Sequence, residues 1–296
     1  MTQQLLSRAL VSINWLAGAL KNHQSAPSLR VLDASFYFPP IRDGRKEFAE
    51  QHIPGALYFD IDECKDKESP YEVMLPSESS FAKYVGNLGI NNNSHVVIYD
   101  ADHLGMYYAP RVWWMFRVFG HHKVSILNGG LRNWLKQGLP VTSEETKVKP
   151  ETFHAVLNSS LVKNFEDIEK NISSCQFQLV DSRSEGRYTG TEPEPGEGVD
   201  PGHIPNSLNL PFTRFLTEEG YQKSPDEILH LFKDKGIDLN KPLTITCRRG
   251  VTACQLALAS FILGKEDTAV YDGSWFEWFY RAKPENKISQ WSSQKS

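Results

Sequence analysis

The sequence contains one series of landmarks twice, about half a chain length apart. Both halves hold a strand-like run ending in aspartate, a His-Ile-Pro turn, a Gly-Ile pair and a glycine-containing turn before tryptophan. The matched positions are Asp33 with Asp181, His52 with His203, Gly89 with Gly236 and Trp134 with Trp278. Because the repeat is as long as a domain, the sequence predicts two tandem copies of one fold.

The segment between the two copies has the composition of a linker. Residues 141–160 are polar and charged, and they include Pro150. We therefore predict an N-terminal domain over residues 1–143, a linker over 144–160 and a C-terminal domain over 161–296. The chain of 296 residues is long enough for each domain to bury a core.

Each copy alternates short apolar runs with helical patterns. Val96–Tyr99 and Leu243–Thr246 are the nearly continuous apolar or β-branched runs expected of strands covered on both faces. A serine, a proline and a glutamate at capping-box spacing begin a helix at Ser224, and Gly264 is expected to end the helix that starts near Thr252. The pattern predicts an α/β fold in which a mainly parallel sheet is flanked by helices on both faces.

Charge and composition exclude several classes of protein. Lysine plus arginine total 32 and aspartate plus glutamate 36, so the net charge of −4 gives no basic field for nucleic acid or anionic lipid. No apolar stretch approaches the ~20 residues of a membrane span. We expect no DNA partner and no membrane association. The four cysteines are too scattered for a disulfide framework, which favours a reducing compartment.

The first 32 residues form a basic amphipathic pattern. They contain no acidic residue, whereas Arg8, Lys21 and Arg30 are positive, and apolar residues recur at helical spacing. Mitochondrial targeting segments have this character, although an ordinary first helix has it too. Both interpretations can hold, because a targeting helix that packs on the folded domain need not be removed.

Candidate chemistry lies at the turn after the run Leu243–Thr246. Ligands of parallel sheets bind at the carboxyl ends of the strands, where helix N-termini present free N–H groups to anions. Cys247 begins this turn, and the amides together with Arg248 and Arg249 favour its thiolate. We predict Cys247 as a nucleophile; the alternative is a buried strand-end cysteine without chemistry. The loop residues whose N–H groups would face its sulfur are Gly250, Val251 and Thr252.

The first copy does not repeat this chemistry. The position that matches Cys247 is Asp100, so only the second copy can use a thiolate, and the first is left with a structural or interface role. Cys254, two helical turns after Cys247, is interpreted as a core residue. We expect no metal, because the histidines lack carboxylate or cysteine partners at ligand spacing.

The turn also carries a family resemblance. Cys-Arg-Arg-Gly-Val-Thr-Ala at Cys247–Ala253 resembles the active loop of the rhodanese family of sulfurtransferases, and Val180–Arg183, Gly202–Pro205 and Tyr271–Trp278 resemble further motifs of that family. The likeness runs from about Arg8 to Glu285. It implies a tandem pair of rhodanese domains in a mitochondrial matrix enzyme that retains its N-terminal address.

The resemblance further implies a double displacement without an organic cofactor. The Cys247 thiolate would take the outer sulfur of thiosulfate and release sulfite, and the persulfide would pass the sulfur to cyanide or a small thiol. Arg187 and Arg249, with Arg248 beside them, would bind the substrate. We expect the enzyme to be a monomer.

The alternative within the family is the 3-mercaptopyruvate sulfurtransferase subfamily. It usually has Cys-Gly-Ser-Gly-Val-Thr in the loop, arginine directly after the Pro-Glu-Pro stretch and histidine before Met-Leu-Pro. Here Arg248 and Arg249 occupy the loop positions, and Gly196 and Val73 the other two. All of these departures favour thiosulfate as the sulfur donor. Arg249 stands where thiosulfate-specific members often have lysine, which keeps the charge but replaces a compact ammonium with a broad fork.

Two other functional classes fit less well. Cysteine-dependent phosphatases place an arginine six positions after the cysteine, and that position is Ala253. A non-catalytic rhodanese-like module generally loses the cysteine, which is present here.

Overall fold

The computed structural model describes residues 9–21, 28–37 and 42–291. Arg8 and the leucines before it, which belong to the predicted targeting pattern, lie outside these ranges. The described chain forms two compact units. The first unit contains the residues up to Lys67, Leu75–Asn158 and Leu216–Gln222, and the second contains Glu68–Met74, Ser159–Phe215 and the residues from Lys223 onwards. Each half of the chain thus gives one short segment to the unit built mainly by the other half. The domain bounds 1–143 and 161–296 stay a prediction.

The first unit is built on a parallel five-stranded sheet with the order β1-β5-β4-β2-β3. Its strands are β1 (Leu10–Val11), β2 (Leu29–Asp33), β3 (Ala56–Tyr58), β4 (His95–Tyr99) and β5 (Val124–Leu127). Its helices are α1 (Ile13–Lys21), α2 (Gly44–Glu50), α3 (Glu78–Asn87), α4 (Ala109–Val118) and α5 (Gly130–Lys136).

The strands of this sheet are buried on both faces. Val97 and Tyr99 of β4 belong to a core cluster that includes Leu16 of α1 and Trp134 of α5. Side chains alternate along a strand, so the neighbouring Ile98 points to the opposite face, and it is also fully buried. This arrangement confirms the predicted α/β fold.

The second unit repeats the architecture with the strand order β6-β10-β9-β7-β8. Its strands are β6 (Val162–Lys163), β7 (Gln178–Asp181), β8 (Ser207–Asn209), β9 (Leu243–Thr246) and β10 (Ala269–Tyr271). Its helices are α6 (Phe165–Ser174), α7 (Glu185–Thr189), α8 (Pro225–Asp234), α9 (Ala253–Ile262) and α10 (Ser274–Arg281). Short 3₁₀ turns lie at Ser159–Leu161, Phe212–Phe215 and Pro284–Asn286.

The strand registers confirm the internal repeat residue by residue. Asp33 pairs with Tyr99 in the first sheet, and Asp181 pairs with Thr246 in the second. The residues that follow Tyr99 and Thr246 are Asp100 and Cys247, so these two occupy equivalent positions at the carboxyl ends of equivalent strands.

The predicted ends of the second unit's helices are also present. Ser224 and Glu227 form the expected capping box at the start of α8. Helix α9 ends at Ile262, and Gly264 follows with a φ of +96°. Because these signals lie within a few residues of the helix ends, they can be identified from the sequence without any tertiary information.

The matched histidines hold equivalent turns. The Nδ1 atom of His52 lies 2.6 Å from the Phe48 carbonyl, and that of His203 lies 2.8 Å from the Tyr188 carbonyl. Each imidazole stacks on the ring of the same residue, at centroid distances of 4.0 and 3.9 Å. Both histidines therefore serve the fold.

Within the described ranges, no helix is long and apolar enough to cross a membrane. The same residues contain no group of three histidine, cysteine, aspartate or glutamate side chains placed to share a metal ion.

Candidate active site

Cys247 lies at the carboxyl end of β9, immediately before the turn that leads into α9. Its side chain is buried, with only 2% of the residue exposed. Gly250 in this turn has a φ of +71°, a backbone conformation that glycine adopts without a steric penalty. The turn can therefore curl tightly around the sulfur before the helix begins.

Ser274, the first residue of α10, fastens the turn. Its hydroxyl accepts hydrogen bonds from the N–H groups of Cys247 at 3.2 Å and Gly250 at 3.1 Å. The same hydroxyl donates to the carbonyl of Tyr271 at 2.7 Å and lies 4.0 Å from the Cys247 sulfur. Ser274 has a φ of +52°, which costs a non-glycine residue on the order of 1 kcal/mol. Its hydrogen bonds offset that cost.

Further contacts hold the turn from both sides. The N–H groups of Trp275 and Phe276 donate to the carbonyls of Cys247 at 3.0 Å and Arg248 at 2.9 Å. On the other side, the hydroxyls of Thr252 and Ser182 lie 3.2 Å apart. Because several elements hold the turn in place, the cysteine is presented by a rigid frame.

Glu194 binds three arginines around the site. Arg187 donates to both carboxylate oxygens, at 2.9 and 2.6 Å, and Arg183 donates at 2.8 Å. The Nε atom of Arg248 lies 3.0 Å from the same carboxylate. Burial alone would raise the pKa of Glu194, but the hydrogen bonds and charges of Arg187 and Arg183 outweigh burial and hold that pKa below its usual value. The carboxylate is therefore ionised and fixes the guanidinium groups.

The three arginines differ in their access to solvent. The Arg183 side chain is fully buried, where it also binds Asp181 and lies over the ring of Trp275. The Arg187 side chain is 21% exposed. Arg183 is thus an internal support, whereas the side chain of Arg187 is partly exposed.

Arg249 has a different carboxylate partner. Its Nε atom lies 2.7 Å from Glu72, and its guanidinium lies 5.4 Å from the ring centre of Phe276. Burial, assisted by the charge of Arg248, lowers the pKa of Arg249 to about 10. The interaction with Cys247 acts in the opposite direction and raises it. Burial likewise lowers the pKa of Arg248. Both guanidinium groups remain protonated at neutral pH and place positive charge beside the cysteine.

The structure brings the predicted site residues into the second unit but connects them through partners the sequence did not assign. Arg187 and Arg248 share Glu194, and Arg249 contacts Glu72. The N–H of Gly250 donates to Ser274. Among the other loop residues, the Val251 carbonyl accepts the N–H of Cys254, and Thr252 contacts Ser182. The catalytic and binding roles of these residues stay predictions.

Cys254 belongs to the core, as its position on the helix suggested. It is fully buried, and its thiol donates to the Gly250 carbonyl at 3.2 Å.

Three residues of this site were missed by sequence reasoning. Glu194 stands between two prolines in a family-like stretch, and that motif was the only available signal. Ser274 aligns with Gly130 in the repeat, so a serine in place of glycine marked the position. Glu72 also stands in a family-like stretch, Ser69–Pro76, but nothing in the sequence places that stretch beside the Cys247 turn.

The rhodanese-like domain family matches this chain twice, over residues 16–137 and 164–280. These two ranges contain four of the five strands of each sheet, β2–β5 and β7–β10.

Full-length relatives include enzymes for both sulfur donors. The chain is 60% identical to "Thiosulfate sulfurtransferase" of Bos taurus, with 98% of each chain covered. It is 55% identical to "3-mercaptopyruvate sulfurtransferase" of Homo sapiens, again with 98% of each chain covered. A crystal structure of SseA from Escherichia coli, described as having the rhodanese fold of 3-mercaptopyruvate sulfotransferases, superposes with a TM-score of 0.80 at 34% identity. That match covers 90% of this chain and 98% of SseA.

Proposed function

We propose that this chain is a sulfurtransferase that takes the outer sulfur of thiosulfate. The chain belongs to the rhodanese-like domain family and carries two copies of the domain. One observation carries the proposal. Cys247 begins a turn fastened by Ser274 and is accompanied by Arg248 and Arg249, so a single nucleophile lies within a positive field that suits a small dianion.

The first half-reaction transfers sulfur to the enzyme. The Cys247 thiolate attacks the outer sulfur of thiosulfate and forms a new S–S bond. The S–S bond of thiosulfate breaks, and its electron pair leaves with sulfite. The enzyme then carries a persulfide anion, so the total charge is conserved.

The second half-reaction returns the enzyme to its starting state. Cyanide attacks the terminal sulfur of the persulfide, thiocyanate leaves, and the Cys247 thiolate is restored. A small thiolate would react in the same way and leave as a persulfide. Cyanide detoxification is thus one consequence of the proposed activity.

Positive charge is needed mainly in the first half-reaction. Negative charge collects on the sulfonate oxygens as sulfite departs, and guanidinium groups stabilise such oxygens by charge-assisted hydrogen bonds. Arg187 is partly exposed and held by Glu194, and Arg249 lies two residues after Cys247, so we assign these two to the sulfonate. Arg248 is more deeply buried and adds charge to the site.

The choice between sulfur donors depends on the same region. A Cβ atom at Gly196 would lie 3.9 Å from the Nη2 atom of Arg248, so this position borders the arginine cluster. The mercaptopyruvate subfamily usually has an arginine at this position and a serine at that of Arg249. With glycine and arginine here, kcat/KM for thiosulfate should exceed that for mercaptopyruvate by at least about tenfold, or ~1.4 kcal/mol.

Two measurements test the proposal. Treatment with thiosulfate should add ~32 Da to the protein at Cys247, and Cys247→Ser should neither gain this mass nor transfer sulfur, because a hydroxyl cannot replace the thiolate. Steady-state rates with both donors decide specificity. Sulfur found on Cys254 would overturn the assignment of the nucleophile, and a preference for mercaptopyruvate would place the chain in the sister subfamily.

The basic N-terminal segment supports a mitochondrial matrix location. Fusion of residues 1–32 to a fluorescent protein tests this part of the proposal, and a cytosolic signal would reject it. Light scattering of the purified protein tests the proposed monomeric state.

A further inference from the structure

The turn that carries Cys247 is bordered by a segment from the first half of the chain. Glu68–Met74 belongs to the second unit, although it lies between two parts of the first. Two neighbouring residues of this segment contact the site. Tyr71 places its ring edge-on to Phe276, with 6.4 Å between ring centres, and Glu72 contacts Arg249.

The Glu72 contact is close and partly enclosed. Its carboxylate oxygen lies 2.7 Å from the Nε atom of Arg249, whose side chain is 13% exposed, whereas that of Glu72 is 41% exposed. Phe276 lies beneath both arginines, at 5.3 Å from Arg248 and 5.4 Å from Arg249. The guanidinium of Arg249 therefore lies near both an aromatic ring and the carboxylate of a partly exposed glutamate.

The backbone of the segment is held in an unusual conformation beside this carboxylate. Val73 has a φ of +54°, a left-handed value that is rare for a β-branched residue, and its side chain is buried. A buried anchor directly after Glu72 limits the directions in which the glutamate can point. The aim of Glu72 at Arg249 is thus built into the fold of the segment.

We propose that Glu72 is a positioning residue that orients Arg249 and offsets part of its charge, so that the site binds the sulfur donor without retaining the sulfite it releases. The inference rests on the proposed function. Thiosulfate and sulfite are both anions attracted by Arg249, so any residue that tunes this attraction acts on donor binding and on product release together. A carboxylate beside the guanidinium weakens the binding of both anions. Weaker binding of sulfite lets the product leave sooner, which fast turnover requires.

The variant Glu72→Gln removes the charge and keeps the shape. We expect the KM for thiosulfate and the inhibition constant for sulfite to fall about three- to tenfold, while kcat does not rise. Glu72→Asp keeps the charge and should stay close to the wild-type values. Glu68→Gln removes an exposed carboxylate of the same segment and is the matched control, for which we expect no change.

A second readout requires no turnover. The rates of Cys247 alkylation by iodoacetate, an anion, and by neutral iodoacetamide give a ratio that reports the electrostatic potential at the sulfur. Glu72→Gln should raise this ratio about threefold or more, since the local field becomes more positive. In an Arg249→Ala background, the same substitution should leave the ratio unchanged if Glu72 acts through Arg249.

The outcomes separate the two proposals. An unchanged ratio in Glu72→Gln, or an equal rise in Glu68→Gln or in the Arg249→Ala background, would overturn the role of Glu72. If thiosulfate failed to transfer sulfur to wild-type Cys247, the proposed function would fail. The alkylation ratios would still decide whether Glu72 offsets the charge of Arg249 at the Cys247 sulfur.

Discussion

The turns after β4 and β9 occupy equivalent places in the two units, yet they treat negative charge in opposite ways. In the first unit, one carboxylate oxygen of Asp100 accepts the N–H groups of Tyr107, Tyr108 and Ala109 at 2.9, 2.8 and 2.7 Å. These amides lie at the start of α4, so the first unit fills its helix N-terminus with its own carboxyl group. In the second unit, the equivalent residue is Cys247, the proposed nucleophile.

The partner position on the last helix differs in a matching way. Gly130 and Ser274 both have left-handed φ values, of +58° and +52°. A Cβ atom at Gly130 would lie 2.3 Å from the Gly105 carbonyl and 2.7 Å from that of Asp100, so only glycine fits there. The second turn is shorter and leaves room for the Ser274 hydroxyl.

The exchanged segments extend the contrast. Leu216–Gln222 lies over the first turn, where Arg132 and Asn133 donate to the carbonyls of Glu218 and Glu219 at 3.1 and 2.7 Å. Glu68–Met74 instead brings Glu72 to an arginine of the second turn. The comparison shows that one scaffold gives either a turn filled by a carboxyl group or a turn that holds a thiol beside two arginines, depending on which side chain follows the strand.

Substitution at the two equivalent positions should separate stability from activity. Asp100→Ala leaves three N–H groups, two of them buried, without their acceptor and should lower the free energy of unfolding by about 3–4 kcal/mol. Cys247→Ala should abolish sulfur transfer but cost only about 1 kcal/mol of stability, since it removes a single buried atom. Urea unfolding and sulfur-transfer rates measure both. Similar stability losses in the two variants would contradict the comparison.

The aspartates that end β2 and β7 differ in their partners. Asp181 forms an ion pair with Arg183, whereas Asp33 accepts hydrogen bonds from Ser35. Burial raises the pKa of Asp33 to about 6. Because the folded state holds the Asp33 proton more tightly than the unfolded state, this group favours folding at low pH. That stability is lost as the pH rises from about 4 through about 6.

Asp33→Asn does not titrate, so its stability relative to wild type should increase by about 2–3 kcal/mol across the same pH window. Urea midpoints measured between pH 4 and 7 check this expectation. A stability difference that does not vary with pH would show that the Asp33 carboxyl has an ordinary pKa.

Arg187→Ala should separate the two half-reactions of the second turn. Loss of a guanidinium that binds the sulfonate should lower kcat/KM for thiosulfate about a hundredfold, roughly 2–3 kcal/mol. Cyanide attack on a preformed persulfide involves no sulfonate and should be affected less. Single-turnover measurements resolve the two steps. An equal loss in both would mean that Arg187 acts by supporting Glu194 rather than by binding substrate.

The smallest expected effect concerns Ser274. Ser274→Ala keeps the left-handed strain and loses the acceptor of two N–H groups, so we expect a stability loss of about 1–2 kcal/mol. Ser274→Gly loses the same acceptor but relieves the strain, and it should be closer to wild type by about 0.5–1 kcal/mol. Thermal unfolding of both variants decides the order, and a glycine variant less stable than the alanine variant would show that strain at this position is negligible.

Much of the fold could be predicted from the sequence because its signals are local. The apolar runs of β4 and β9, the capping box at Ser224 and the turn at Cys247 each lie within a few residues. The repeat then supplied the equivalence of Asp100 and Cys247, which the strand registers confirm.

The remaining features depend on contacts between distant residues. Two sets of contacts depend on how the loops are arranged in space, which charge patterns in the sequence do not encode. They are the contacts of Arg187 and Arg248 with Glu194, and that of Arg249 with Glu72. The exchange of Glu68–Met74 and Leu216–Gln222 escaped prediction for the same reason, since a short loop reads alike whichever unit it joins.

The two exchanged segments, Glu68–Met74 and Leu216–Gln222, have a consequence for synthesis of the chain. The first unit cannot be completed until part of the second half has been made. During synthesis, the first half emerges well before Leu216–Gln222, so its sheet can form while the turn at Gly105 and Gly130 still lacks its cover. Glu72, in contrast, has already been synthesised when the second half emerges. Neither half, cut within residues 144–160, would contain all the residues of its own unit, so the first unit is complete only after Leu216–Gln222 has been synthesised.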